Sequence, residues 1–242
     1  MCGRYVMAKA IGDLVAEAEA EADDNLQLRH SWNVAPTTDV PIVLERLIDV
    51  QLHRQIHVAR WGLVPGWAKE LSVGVRAFNA RSETAASKPT FRAAVKKRRA
   101  AVPMQGYYEW KKEGSKKRPF FVHREDGKLM FFAGLYEWWK DENGDWILST
   151  SILTMESPSA EEPGVLGELA GLHDRLPIPL DKAMMSRWLN PDEEDGEGLI
   201  EEVRAQAYDV ASTWTMYEVD SAVGNVRNNS AELIEEHTNA LF

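Results

Sequence analysis

The second residue of the chain, in "MCGRYV", is the only cysteine among 242 residues. If Met1 is removed, Cys2 carries a free α-amine and a thiol two carbons apart, a 1,2-aminothiol. Its amine can attack an aldehyde to give an imine, and its thiol can then close on the imine carbon to form a five-membered thiazolidine. An internal cysteine cannot do this, because its nitrogen is an amide. An α-amine with a pKa of ~7.7–8.0 keeps a useful unprotonated fraction at neutral pH, whereas a lysine near ~10.4 does not. The same residue could instead be an N-terminal nucleophile for amide hydrolysis, or have no chemical role. A single cysteine excludes an internal disulfide and any multi-cysteine metal site.

Other polar residues stand in aromatic or Pro/Gly contexts where packing alone does not call for them. "FNARSE" contributes Asn79, Arg81 and Glu83. "GYYEWKK" sets Glu109 between Tyr108 and Trp110, where desolvation would raise a carboxyl pKa and let it hold a proton near neutrality. "GLHDRLP" supplies His173, Asp174 and Arg175, and histidine both gives and takes protons at pH 7. Each has a plainer reading: Glu109 facing water on an alternating strand, His173 as a surface or capping residue. Trp61, Pro65 and Trp67 in "WGLVPGW" fit either an apolar wedge that stacks on bases or core at a loop crossing. Together these residues suggest an aldehyde-bearing, anionic, base-containing substrate.

The elements that must position them follow from patterning. "AKAIGDLVAEAEAEA" predicts a helix over 8–22 with Ile11, Leu14, Val15 and Ala18 on one face. "QLHRQIHVARW" alternates like a strand, with Leu52, Ile56 and Val58 opposite Gln51, His53, Gln55 and His57. His53 and His57 have no evident third ligand, so neither a metal nor a cofactor is expected. Short helices are expected at "ARSETAASK" and "TFRAAVKKRR", then strands at "AAVPMQGYYEW", "RPFFVHR", "LMFFAGLYEWW" and "WILSTSILTM", with turn signals in "REDGK" and "DENGD". Helices at 180–189 and 197–207 and a strand near 213–219 complete the chain. Mixed order without regular β-α-β alternation predicts a single α+β domain over 1–242 with mostly antiparallel strands. The acidic stretch 191–202 is expected as a surface segment and 235–242 as a tail. No apolar run is long enough to span a bilayer, so no membrane partner is expected. The absence of a signal-peptide core and the lone cysteine point to a cytoplasmic protein. Net charge is −10, yet residues 88–118 hold eleven Lys/Arg against two acids, which could form a basic groove in an acidic protein.

The ordered motifs "MCGRY", "WNVAPTT", "RWGLVPGWAK", "FNARSETAASKPTFR", "GYYEWKK", "LHDRLP" and "VGNVRNNSAELI" resemble the SOS-response-associated peptidase family, from Cys2 to about Ile234. Its members crosslink to abasic sites in single-stranded DNA. The resemblance implies a distorted, mostly antiparallel, barrel-like β-core with flanking helices. It implies that Cys2 forms the thiazolidine after loss of Met1, and that Asn79 positions sugar and nucleophile. Glu109 would be the acid/base for sugar opening, and His173 would assist proton transfers, including reversal. Arg4, Arg81 and Arg175 are implied to contact phosphates. Asn33, Pro36, Thr154 and the loop bearing Trp61 and Trp67 are implied to complete the DNA surface. A monomer acting on abasic-site single-stranded DNA, nucleoid-associated when bound, is the expectation. Peptidase or lyase-like activity on the same Cys2 is the alternative.

Overall fold

The computed structural model describes residues 2–237. Met1, whose removal the aminothiol chemistry requires, and residues 238–242 of the expected tail lie outside them. The chain begins with β1 (Tyr5–Met7), α1 (Ile11–Ala18), β2 (Ser31–Val34), β3 (Asp39–Ile48) and β4 (Gln51–Trp61). Next come β5 (Asn79–Arg81), α2 (Ser82–Ala85), α3 (Arg92–Lys97), β6 (Arg99–Met104), β7 (Gly106–Glu113) and β8 (Lys116–Arg124). The remainder is β9 (Met130–Lys140), β10 (Trp146–Glu156), α4 (Val165–Leu172), β11 (Arg175–Pro177), β12 (Pro179–Leu180), α5 (Lys182–Leu189), α6 (Gly196–Ala211) and β13 (Trp214–Glu218).

Two sheets share one main core. The first runs β13-β8-β7-β1-β2, antiparallel throughout. The second runs β11-β10-β4-β3-β6-β9-β12, and pairing of β9 with β10 closes its central strands into a ring. The expected α+β class with a barrel-like, mostly antiparallel core therefore holds. The departure is β10, which takes both β4 and β5 as parallel partners. Its residues 148–155 are all buried, as a strand flanked on both edges and covered on both faces must be. Two of the three buried hydroxyls in its "STS" stretch are used: Ser149 Oγ accepts from the Val64 amide at 2.9 Å, and Thr150 Oγ1 donates to the Leu135 carbonyl at 2.9 Å, whereas Ser151 Oγ has no partner among the described residues.

Several expected boundaries move for identifiable reasons. α1 ends at Ala18 because Glu19 turns left-handed (φ 50°) and Glu21 then bridges in parallel to Gln55 on β4. Leu52 is exposed at the β3–β4 hairpin, while Ala59 and Trp61 on the opposite face of β4 are buried, so its alternation describes only the middle of the strand. "DENGD" turns the β9–β10 hairpin, but "REDGK" carries the chain from one sheet to the other. In "WGLVPGW" the chain crosses the 71–76 turn at two glycines. A Cβ on Gly62 (φ 136°) would lie 2.5 Å from the Gly74 carbonyl oxygen, and one on Gly74 would lie 2.4 Å from that of Gly62.

The acidic 191–202 stretch is a surface segment only at its start. From Gly196 it is α6, with Leu199, Ile200 and Val203 buried, so the acids merely cover its outer face. The expected tail also begins docked, since Glu236 bridges Val219 and the His237 amide donates to the Glu218 carbonyl at 2.8 Å. Arg99, from the basic run, is 2% exposed and ties these parts together. Its guanidinium donates to the carbonyls of Val95, Lys96, Trp188, Asn190 and Glu193 at 2.6–3.0 Å. It thus joins the end of α3 to the end of α5 and the loop before α6. Replacing Arg99 with Met would leave buried carbonyls without donors, so Arg99→Met should lose roughly 3 kcal/mol or more of stability. Urea unfolding measures this, and a midpoint equal to the parent's would show that the cluster holds nothing.

Candidate active site

Cys2 is carried into the molecule by β1. β1 pairs with β7 through Tyr5↔Tyr107 and Val6↔Gly106, and the Tyr108 amide donates to the Arg4 carbonyl at 2.9 Å. The same register, continued, brings Gly3 and Cys2 alongside Glu109 and Trp110. From the second sheet, Asn79 opens β5, and its Nδ2 donates to the Cys2 carbonyl at 2.8 Å. Its other atom, Oδ1, is buried without a hydrogen-bond partner among the described residues. Glu109 is 6% exposed, and its Oε1 accepts from the Trp110 amide at 3.2 Å. His173 terminates α4, which packs on β7. Cys2, Asn79, Glu109 and His173 thus converge where the two sheets meet.

Burial governs their protonation. Cys2 is fully buried, which pushes its thiol well above the usual range; the Glu109 charge adds to this and the amino-terminal charge opposes it. Burial likewise raises the Glu109 carboxyl, again against the amino-terminal charge. The His173 imidazole is lowered by burial and by the amino-terminal charge, with Asp174 pulling the other way. One positive terminus therefore acts on all three titrating groups. Burial thus moves the Glu109 carboxyl up and the His173 imidazole down, so the two shift toward one another, as in acid/base pairs.

Beside His173 opens a cavity of 460 Å³ lined by Arg81, Trp110, Lys112, Asp174 and Arg175. Arg81 is exposed there. Arg175 is instead engaged with Glu83, donating through Nη1 and Nη2 at 2.7 and 2.8 Å, and this holds the Glu83 carboxyl at about 2 although burial alone would raise it. Arg175 also donates to the Thr154 carbonyl at 2.7 Å, and Thr154 is fully buried. Arg4 donates to Asn33 Oδ1 and to the Val223 carbonyl, both at 2.9 Å, with its guanidinium 5.8 Å from the Trp110 ring centroid. Asn33 is 5% exposed and donates to the carbonyls of Asn225 and Asn228. Pro36 lines a separate groove with Met7, Ser31 and Val226.

The two tryptophans of the loop part company. Trp67 is 61% exposed, pinned through Nε1 to the Pro89 carbonyl at 3.3 Å. Trp61 has no exposed surface; it packs 5.0 Å from Tyr5 and 5.8 Å from Phe78 and donates to the Phe78 carbonyl. It is core and presents no face for a base to stack on. Nor do the eleven cations of 88–118 form one groove. Arg99 is buried, Arg98 pairs with Glu137, and Arg118 with Glu113 and Glu218; Lys112 is the one that borders the His173 cavity. Tyr5 and Tyr107, which reading the sequence did not single out, are buried close enough to Cys2 for its charge to act on both hydroxyls. Their signal was their place beside the two named residues: "GRY" after Cys2 and "GYYE" before Glu109.

The family model for SOS response associated peptidase (SRAP) matches residues 1–226. Abasic site processing protein YoqW of Bacillus subtilis is 33% identical over 98% of this chain and all of its own length. Abasic site processing protein YedK of Escherichia coli is 33% identical over 97% of this chain and 99% of its own. A crystal structure of a Bacteroides thetaiotaomicron protein superposes with a TM-score of 0.79 over 98% of this chain and all of that one, at 22% identity, and so shares the fold. Matched along nearly its whole length by a family model and by relatives at one-third identity, the chain belongs to the SOS response associated peptidase (SRAP) family.

Proposed function

We propose that this protein captures abasic sites in single-stranded DNA as a thiazolidine on Cys2, once Met1 has been removed. The observation that carries the reading is the seat of Cys2: the one cysteine, at the one position that can own a free amine, held by Asn79 beside a buried carboxyl of raised pKa. The names of the relatives supply the lesion.

The steps follow from the groups present. Glu109, protonated, gives its proton to the ring oxygen of the abasic sugar as the 1-hydroxyl loses its own, which opens the hemiacetal to the aldehyde. The Cys2 amine adds to that aldehyde, and loss of water leaves the imine. The thiol then adds across the C=N bond, its sulfur to carbon and its proton to nitrogen. The net change is one water released. Asn79 Oδ1 is a vacant buried acceptor suited to a hydroxyl of the opened sugar. Arg81 and Lys112 line the adjoining cavity and suit the flanking phosphates, and exposed Trp67 offers a stacking surface. Strand scission by β-elimination needs a persistent imine, so ring closure protects the strand. An amide hydrolase would need a Cys2 thiolate as its first nucleophile, and the burial that raises the thiol works against that. The thiazolidine route begins with the amine.

A single-stranded oligonucleotide treated with uracil glycosylase should give a shifted band on a denaturing gel with the processed protein. Cys2→Ala should give none, and neither should protein whose intact mass still includes Met1. A band of equal intensity from Cys2→Ala would end the proposal.

The pH dependence follows from the same groups. The amine must be free, so the rate rises with pH at the acid side; Glu109 must be protonated, so the rate falls on the alkaline side, above its raised pKa. Glu109→Gln should slow adduct formation about 10²-fold or more. It should also abolish the alkaline decline, leaving a plateau above the amine pKa of ~7.7–8.0. Quenched time courses across pH 5–9 distinguish this from a purely structural Glu109, whose loss would scale the profile without changing its shape.

A further inference from the structure

One nitrogen of His173 has two suitors. Nδ1 lies 2.6 Å from Asp174 Oδ1 and also 3.0 Å from the Arg175 amide nitrogen, which donates to it. These contacts are mutually exclusive for a given ring. To accept from the Arg175 N–H, Nδ1 must be bare; to reach the Asp174 carboxylate, it must carry a proton. The remaining nitrogen, Nε2, has no protein partner among the described residues, and the ring lines the 460 Å³ cavity. The backbone around the ring is fixed, with the His173 amide donating to the Leu169 carbonyl and the Ser157 hydroxyl to the His173 carbonyl at 2.6 Å. The ring therefore has two neutral arrangements on a rigid support.

We propose that Asp174 is a positioning residue that decides which nitrogen of His173 bears the proton, and so whether Nε2 serves as an acid or as a base. With the Arg175 amide on Nδ1, the neutral ring carries its proton on Nε2 and can only donate it. With Asp174 on Nδ1–H, Nε2 is a bare lone pair that accepts. Asp174 also favours the doubly protonated ring, opposed by the amino-terminal charge, Lys112 and Arg175. Arg81, which also lines the cavity, completes the charged groups around it. Without Asp174, the Arg175 amide alone would hold Nδ1, and His173 would lose its competence as a base.

The consequence for chemistry rests on the crosslinking reading above. Reversal of a thiazolidine breaks the C–S bond, with a proton going to sulfur, and leaves an imine. Water then adds to the imine carbon, giving up one proton as the nitrogen gains one, and C–N cleavage returns aldehyde and amine. One water is consumed, and a base must take the proton of that water. The Asp174-held form of His173 can do so.

The ring itself can be watched. Long-range proton–nitrogen correlation spectra of ¹⁵N-labelled protein report which imidazole nitrogen is protonated, and His173→Gln identifies the resonance among the six histidines. At neutral pH the parent should show a population with protonated Nδ1. Asp174→Ala should move the ring to the Nε2–H form and lower the pH at which it takes its second proton, and Asp174→Glu should restore both. The Asp174 side chain is 84% exposed, so these variants perturb no packing. For an exposed charged pair, release of abasic DNA from the purified adduct should slow about two- to five-fold in Asp174→Ala, with recovery in Asp174→Glu. Unchanged nitrogen shifts in Asp174→Ala would overturn the assignment, and so would parental release rates in a variant whose tautomer has moved. If the parent forms no adduct at all, the crosslinking reading fails, while the nitrogen spectra still decide the role of Asp174.

Discussion

Chain termini are ordinarily the loosest part of a domain, because nothing obliges them to pack. Here Cys2, one residue from the start of the chain, is fully buried close to the Glu109 carboxyl, and the arrangement of the candidate site depends on how it is tied down. Two unrelated attachments do this. The antiparallel pairing of β1 with β7 sets the depth of Cys2, and Asn79 of the other sheet grips its carbonyl. Either alone would leave the residue free to swing about one axis. Anchoring by both sheets fixes it and places the seat beside residues of β5, β7 and the end of α4.

The same anchoring makes the seat dry. In a dry seat a neutral acid and a neutral base are favoured over their charged forms, which is why burial raises Cys2 and Glu109 and lowers His173 together. Burial is the largest influence on all three and moves each in the direction the proposed chemistry uses. The opposing influence is the positive chain terminus. Removal of Met1 would shorten the chain by one residue and transfer that amine to Cys2 itself. In the proposed reaction, the group that opposes burial electrostatically would then also be the nucleophile.

The α+β class and the candidate site residues could both be picked out of the sequence, whereas the strand pairing could not. Cys2 could be read because an aminothiol follows from position alone, and Glu109 because a carboxylate among aromatic residues is out of place. The strands were visible from their alternation, but their partners were not: nothing local in "WILSTSILTM" tells that β10 takes β4 and β5 in parallel, since that pairing is set by residues 70–90 positions away. Charge was the poorest guide. The dense cations of 88–118 read as a groove, yet Arg98 and Arg118 are taken up in ion pairs and Arg99 in a buried cluster, and only Lys112 of the run borders the His173 cavity. The acidic run 191–202 hid the buried face of α6 for the same reason, because acids dominate composition without dominating contacts.

Motif residues around the nucleophile divide by what their polar atoms already hold. Asn33, Thr154 and Trp61 are buried with their hydrogen bonds made inside the protein, and Arg175 has its terminal nitrogens on Glu83 and Thr154. A ligand would have to break those bonds to reach them, so the effect of these side chains on it passes through the shape they maintain. Asn33 is the clearest instance, since it orients Arg4 and secures the 223–228 loop at once. Arg81 and Lys112 stand differently, exposed at the cavity beside His173, and Trp67 is largely exposed on its loop. The motif residues therefore fall into those whose polar atoms are spent inside the protein around Cys2 and the fewer whose side chains remain exposed.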